Sequence, residues 1–121
     1  MRQWDGKSAV GGLSPVEIRE ICDRINRAVE PKSIILFGSR ARGTQGCDSD
    51  IDILVLKDYD TPTGWLDIGA RALCSLTELA QEWDIDFDVL ATLPKQDGTP
   101  STDRGPVYKE AATEGVVLYA A

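Results

Sequence analysis

The sequence contains no histidine. That absence removes Ser-His-Asp triads, His-built zinc sites and imidazole general bases together. Cysteine is scarce. Cys22, Cys47 and Cys74 are odd in number and show no metal-ligand spacing, so neither a disulfide framework nor a thiolate metal site is expected. Such usage fits a reducing, cytoplasmic setting. Any bound metal would have to be held through oxygen, which suits Mg²⁺, with Mn²⁺ as the alternative. No apolar run approaches the roughly 20 residues that span a bilayer, and Met1–Gly12 carries no secretory pattern, so no membrane partner is expected. Basic residues are outnumbered, 13 against 20 acidic, giving a net charge of −7. A surface of that sign does not displace counterions from a polynucleotide, which argues against general nucleic-acid binding.

What is there amounts to about one domain, at 121 residues. A second, substrate-holding domain has no room. A large acceptor would have to be held by a shallow surface, by a second copy in a homodimer, or by a different protein. Residues 1–13 mix Gly, Ser and charge without periodicity and are expected as a flexible tail, with a single domain over 14–121. Ser14, Pro15 and Glu17 read as N-cap, first helical position and capping box. Ile18, Ile21, Cys22, Ile25 and Val29 follow at helical spacing, and Pro31 ends the helix near Glu30.

Ser33–Phe37 reads as a buried strand and Gly38-Ser39 breaks it. Arg40–Gly46 is a loop or one helical turn. Asp50–Leu56 reads as a second strand, with Ile51, Ile53 and Val55 on one face and Asp50, Asp52 and Leu54 on the other. Trp65–Glu82 is expected as one long helix with Leu66, Ala70, Leu73, Leu76, Leu79 and Ala80 as its apolar stripe. Ile85–Ala91 is a third strand, Pro106–Glu114 a short helix stopped by Gly115, and Val116–Tyr119 an edge strand or packed tail. The order gives an α/β (α+β) domain with helices packed on a small sheet.

Two features carry chemistry. Gly38 lets a phosphate approach the main chain, because no Cβ intervenes, and Ser39 adds a hydroxyl donor. Asp50 and Asp52, two apart in a strand, share a face at about 7 Å. Carboxylates that close raise each other's pKa, and the apolar flanks of this strand call for compensating cations. A third carboxylate comes from Asp84, Asp86 or Asp88; Asp88, flanked by apolar residues deepest in its strand, is favoured over Asp86. Two dications on such a set would neutralise a triphosphate and help deprotonate an attacking hydroxyl. Arg40 and Arg42 are placed to fork onto phosphate oxygens.

Gly38-Ser39, ten residues, then Asp50-Ile51-Asp52 resembles the G-S-x10-D-x-D signature of the DNA polymerase β-type nucleotidyltransferase superfamily. Leu36–Gly43, Ser49–Val55 and Phe87–Thr92 are especially similar to its minimal nucleotidyltransferases, and the likeness runs from about Ser14 to Tyr119. The resemblance implies the nucleotidyltransferase fold, ATP as substrate and two Mg²⁺ ions. It implies that Ser39 meets the triphosphate, that Asp50 and Asp52 bind the catalytic metals, and that Asp88 supplies the third carboxylate. It further implies an antitoxin that transfers AMP to a tyrosine of a HEPN toxin. The competing expectations are a module that neutralises its partner by occlusion alone, and an enzyme acting on a small molecule.

Overall fold

The computed structural model describes residues 1–121. Helix α1 (Pro15–Val29) starts as its sequence dictates. Ser14 Oγ accepts from the Glu17 amide at 3.1 Å, and Glu17 Oε1 accepts from the Ser14 amide at 2.8 Å. Its stripe of Ile18, Ile21, Cys22, Ile25 and Val29 is buried. Glu30 then takes a left-handed conformation, φ 49°, and closes the helix onto the Asn26 carbonyl.

Two strands follow, joined by one short helix. Strand β2 (Ser33–Phe37) runs antiparallel to β3 (Ile51–Leu56), and α2 (Gly38–Arg42) begins the connection. Alternation divides β3 as expected. Ile51, Ile53 and Val55 join the larger core under α1, while Leu54 and Leu56 enter a smaller core with Ile35, Phe37, Tyr108 and Ala111. Asp50 falls one residue short of the strand.

Trp65–Glu82 is not one helix. It divides at Leu76 (φ −102°, ψ 0°) into α3 (Gly64–Ser75) and α4 (Thr77–Trp83). The expected stripe is also displaced. Ile68, Gly69, Ala72, Leu76 and Leu79 are buried, whereas Leu66 and Leu73 are 52% and 43% exposed. The reason is close packing: Gly69 brings α3 down onto β4 (Phe87–Thr92), where an added Cβ would lie 3.6 Å from the Val89 carbonyl. That contact turns the leucines sideways. Strand β4 pairs parallel with β3, as the α3–α4 crossover requires.

Helix α5 (Pro106–Glu114) covers the smaller core and ends before Gly115. Gly115 is not left-handed (φ −67°); it is small because a Cβ there would overlap the Ala111 carbonyl and come 2.5 Å from Ile35 Cγ2. Strand β5 (Val116–Ala120) is interior rather than at an edge. Strand β1 (Arg2–Gln3), from the segment expected as a flexible tail, pairs with it in parallel. The sheet order is β1-β5-β2-β3-β4. Residues 1–13 are further tied down by Arg2 Nη2 donating to the Ala41 carbonyl at 2.6 Å and by the burial of Leu13. No helix is long and apolar enough to cross a membrane.

Ser14→Ala is expected to lower the unfolding free energy by about 1 kcal/mol, through loss of the cap. Gly115→Ala is expected to cost about 1–3 kcal/mol through overpacking against Ile35. Urea denaturation followed by circular dichroism measures both.

Candidate active site

The chain reverses sharply where β2 ends. Gly38 takes φ 74°, a conformation that L side chains rarely adopt, and opens α2. A Cβ at Gly38 would overlap the Asp52 carboxylate and lie 3.1 Å from its Cγ. The glycine therefore presses bare backbone against a carboxylate, and Ser39 follows on the first turn. Across the sheet, Phe37 pairs with Asp52, and Asp52 pairs in register with Asp88. Parallel register puts these two side chains side by side on one face, with Leu54 and Leu90 beyond them.

Electrostatics mark the same spot. The Asp52 carboxyl is pushed up from 3.8 to about 6, first by partial burial, then by the charges of Asp88 and Asp50, and then by Glu110. Arg42 opposes the shift only weakly, because Glu110 and Glu114 hold its guanidinium at 2.6 and 3.1 Å. Neither glutamate stood out in the sequence. Their i, i+4 spacing on α5 was the one available signal, an acidic stripe that turns out to face α2.

The other expected residues divide. Asp88 sits beside Asp52, while Asp86 lies before β4 and its carbonyl accepts from the Ile51 amide at 2.9 Å. Asp50 precedes β3 and is exposed, so it is not a strand neighbour of Asp52. Arg40 does not reach toward a phosphate. It is 5% exposed, with Nε and Nη2 donating to the Ser49 carbonyl at 3.1 and 2.8 Å and Nη1 donating to the Gly11 carbonyl at 2.6 Å. Its fork closes the loop between the two halves of the motif and clamps the N-terminal segment to α2. Gly11 is required there, since a Cβ would run into Arg40 itself.

The site is an open shelf. A hollow of about 780 Å³ lies at the other end of the sheet, among Lys32, Asp58, Lys95, Gln96 and Asp97, away from these groups. The all-oxygen donor set and the raised Asp52 fit a hard dication such as Mg²⁺. No three Asp, Glu or Cys side chains are drawn together tightly enough to form a finished cage.

The model of the nucleotidyltransferase domain family matches residues 16–103. The chain belongs to that family. It is a transferase of the nucleotidyltransferase type, and its substrate is a nucleoside triphosphate. Among solved structures, it is similar to a toxin–antitoxin crystallised with AMP-PNP, with 25% identity and a TM-score of 0.56 over 86% of this chain and 73% of that one. It also shares its fold with a mutant of the toxin–antitoxin MntA–HpeT, at 24% identity, TM-score 0.55 and the same coverage. No curated protein matches the sequence. The matched span of this nucleotidyltransferase includes the Gly38 turn and the Asp52–Asp88 pair.

A carboxyl with a raised pKa binds its proton more tightly in the folded chain than in the unfolded one. Ionising Asp52 therefore opposes folding: the stability present below pH 3.8 is lost as pH rises to about 6, and the full penalty holds above that. In the metal-free protein, carboxyl ¹³C NMR should show Asp52 titrating near pH 6. Asp88→Asn should lower that midpoint in part, since burial still raises it, and Asp52→Asn should flatten the fall in stability between pH 4 and 6.

Proposed function

We propose that this nucleotidyltransferase moves AMP from ATP to a hydroxyl of a partner protein, a tyrosine of a HEPN toxin, and acts as its antitoxin. The single observation that carries the reading is the Asp52–Asp88 pair set against the bare backbone of Gly38. The likeness to a toxin–antitoxin crystallised with AMP-PNP, an ATP analogue, supports ATP as the donor and a toxin as the partner. The HEPN identity rests on the resemblance of the motif to minimal nucleotidyltransferases.

The residues divide the work as follows. Gly38 admits the triphosphate to the main chain and Ser39 Oγ donates to a phosphate oxygen. Arg42 pairs with the phosphates in exchange for Glu110 and Glu114. Asp50, Asp52 and Asp88 would hold two Mg²⁺ ions, which neutralise charge on the triphosphate when bound. Asp88, exposed on the outermost strand, accepts the proton of the incoming hydroxyl. The acceptor oxygen bonds to the α-phosphorus, the bond from that phosphorus to the bridging oxygen breaks, and pyrophosphate leaves. The exposure of Asp88 on the outermost strand supports an acceptor delivered by a macromolecule.

Incubation with Mg²⁺, α-labelled ATP and a HEPN protein encoded beside this chain tests the reading. Label is expected on the toxin with wild type. Asp52→Ala or Asp88→Ala should reduce it by about 10²–10³-fold, the usual scale for removing a transition-state electrostatic group. Equal labelling, or none with any form, refutes AMP transfer. Full protection of cells by the Asp50→Ala, Asp52→Ala double variant favours occlusion instead.

A further inference from the structure

Strand β4 ends the sheet, and the first half of its outer side is accessible. The Asp86 and Thr92 carbonyls accept from the Ile51 and Lys57 amides at 2.9 and 3.3 Å, so the even-numbered residues of β4 face β3. Alternation then turns the N–H and C=O groups of Phe87, Val89 and Ala91 outward; Ala91 is buried and the Val89 carbonyl lies against Gly69, so the accessible stretch is Phe87–Val89. From Ala91 onward the edge is covered: Ala91 and Thr92 are 1% exposed, and the Ser101 amide of the following loop donates to the Leu93 carbonyl at 2.9 Å.

The two sides of that edge differ in chemistry. On one side stands α3. Gly69 lies against Val89, Arg71 reaches the other way to the Ala28 carbonyl of α1, and Leu66 and Leu73 stand exposed on the β4 side, one above the other. On the other side are the carboxylates. Asp86 and Asp88 share a parity with Leu90, Asp84 precedes them, and all three are exposed. None takes part in any of the chain's ion pairs. A hollow of about 330 Å³, lined by Thr77, Ala80, Gln81, Asp84, Ile85 and Asp86, continues the acidic end.

We propose that the β4 edge is the docking strand for the toxin, which adds an extended segment of alternating apolar and basic residues to the sheet. Strand addition satisfies the open backbone groups, and the pockets for alternate side chains set specificity. Apolar side chains of the incoming segment would lie over Leu66 and Leu73. Lys or Arg side chains would face Asp86 and Asp88. Charge selects this occupant over a second copy: with a net charge of −7 and three free aspartates along the edge, two copies repel, and acidic side chains at an edge guard against self-pairing. A segment bound here also has its second face beside Asp88, so docking delivers an acceptor hydroxyl to the shelf. This inference rests on the proposed reading that the acceptor is a toxin protein.

Val89→Pro tests it, because the proline removes an outward amide and no β3–β4 hydrogen bond, and proline is tolerated at such edge positions. Leu66→Lys with Leu73→Lys changes only exposed side chains and serves if the proline variant melts early. Both should weaken binding of the HEPN toxin at least tenfold by titration calorimetry, with wild-type thermal stability retained in the lysine pair. The amides of Phe87 and Val89 should exchange at least tenfold more slowly in the complex. Unchanged affinity and exchange overturn the proposal. So does the absence of any wild-type complex, and so does a dimer of the chain alone that these substitutions split. Protection without AMP label leaves docking standing and sinks AMP transfer; label with undiminished affinity of the variants does the reverse.

Discussion

Two carboxylates paired in parallel register, Asp52 and Asp88, are the constraint on which the site depends. Like charges on adjacent strands cost free energy, and here the cost is concentrated on the more buried partner, whose proton affinity rises to about 6. The fold does nothing to relieve it. The cation that acts on it, Arg42, is held by two glutamates, and the backbone of Gly38 crowds the same carboxylate. An arrangement that opposes folding in this way is stable only because the rest of the sheet over-determines it. Ile51, Ile53 and Val55 are fully buried on one face, and Leu54 and Leu56 on the other, so β3 cannot slip to separate the pair.

Much of this was legible in the residues. The α1 cap and stripe, β2, α5 and the division of β3 between two faces follow from periodicity and capping chemistry, because each depends on local rules. The misreadings arose where packing outranked pattern. Leu66, Ala70 and Leu73 form a sound stripe on paper, yet α3 buries Ile68, Gly69 and Ala72, since a glycine permits closer approach to β4 than any leucine. Asp50 looked equivalent to Asp52, but the strand starts one residue later.

Within the site, the Gly38 turn was readable from the Gly-Ser break after an apolar strand, and Asp88 stood out from Asp86 by its apolar flanks; the register then sets Asp88 opposite Asp52. Arg40 was not readable. Next to Gly38-Ser39 it has the sequence of a phosphate ligand and the surroundings of a structural bolt. Nothing in one chain's order announces that Ser49 and Gly11, nine residues ahead and twenty-nine behind, present their carbonyls to it. The N-terminal strand was missed for the same reason: two residues are too few to show a period, and only the exposed side of β5 gives them a purpose.

The Arg40 clamp has a bearing on how this site tolerates variation. Because the guanidinium fastens Ser49 to α2, the segment 43–48 is a closed loop whose two feet are already fixed, and its interior is mostly exposed to solvent. Its length is then free of the catalytic geometry. Extra residues inserted at Cys47 would bulge outward without shifting Gly38 or Asp52, so evolution or an engineer could lodge a recognition element there.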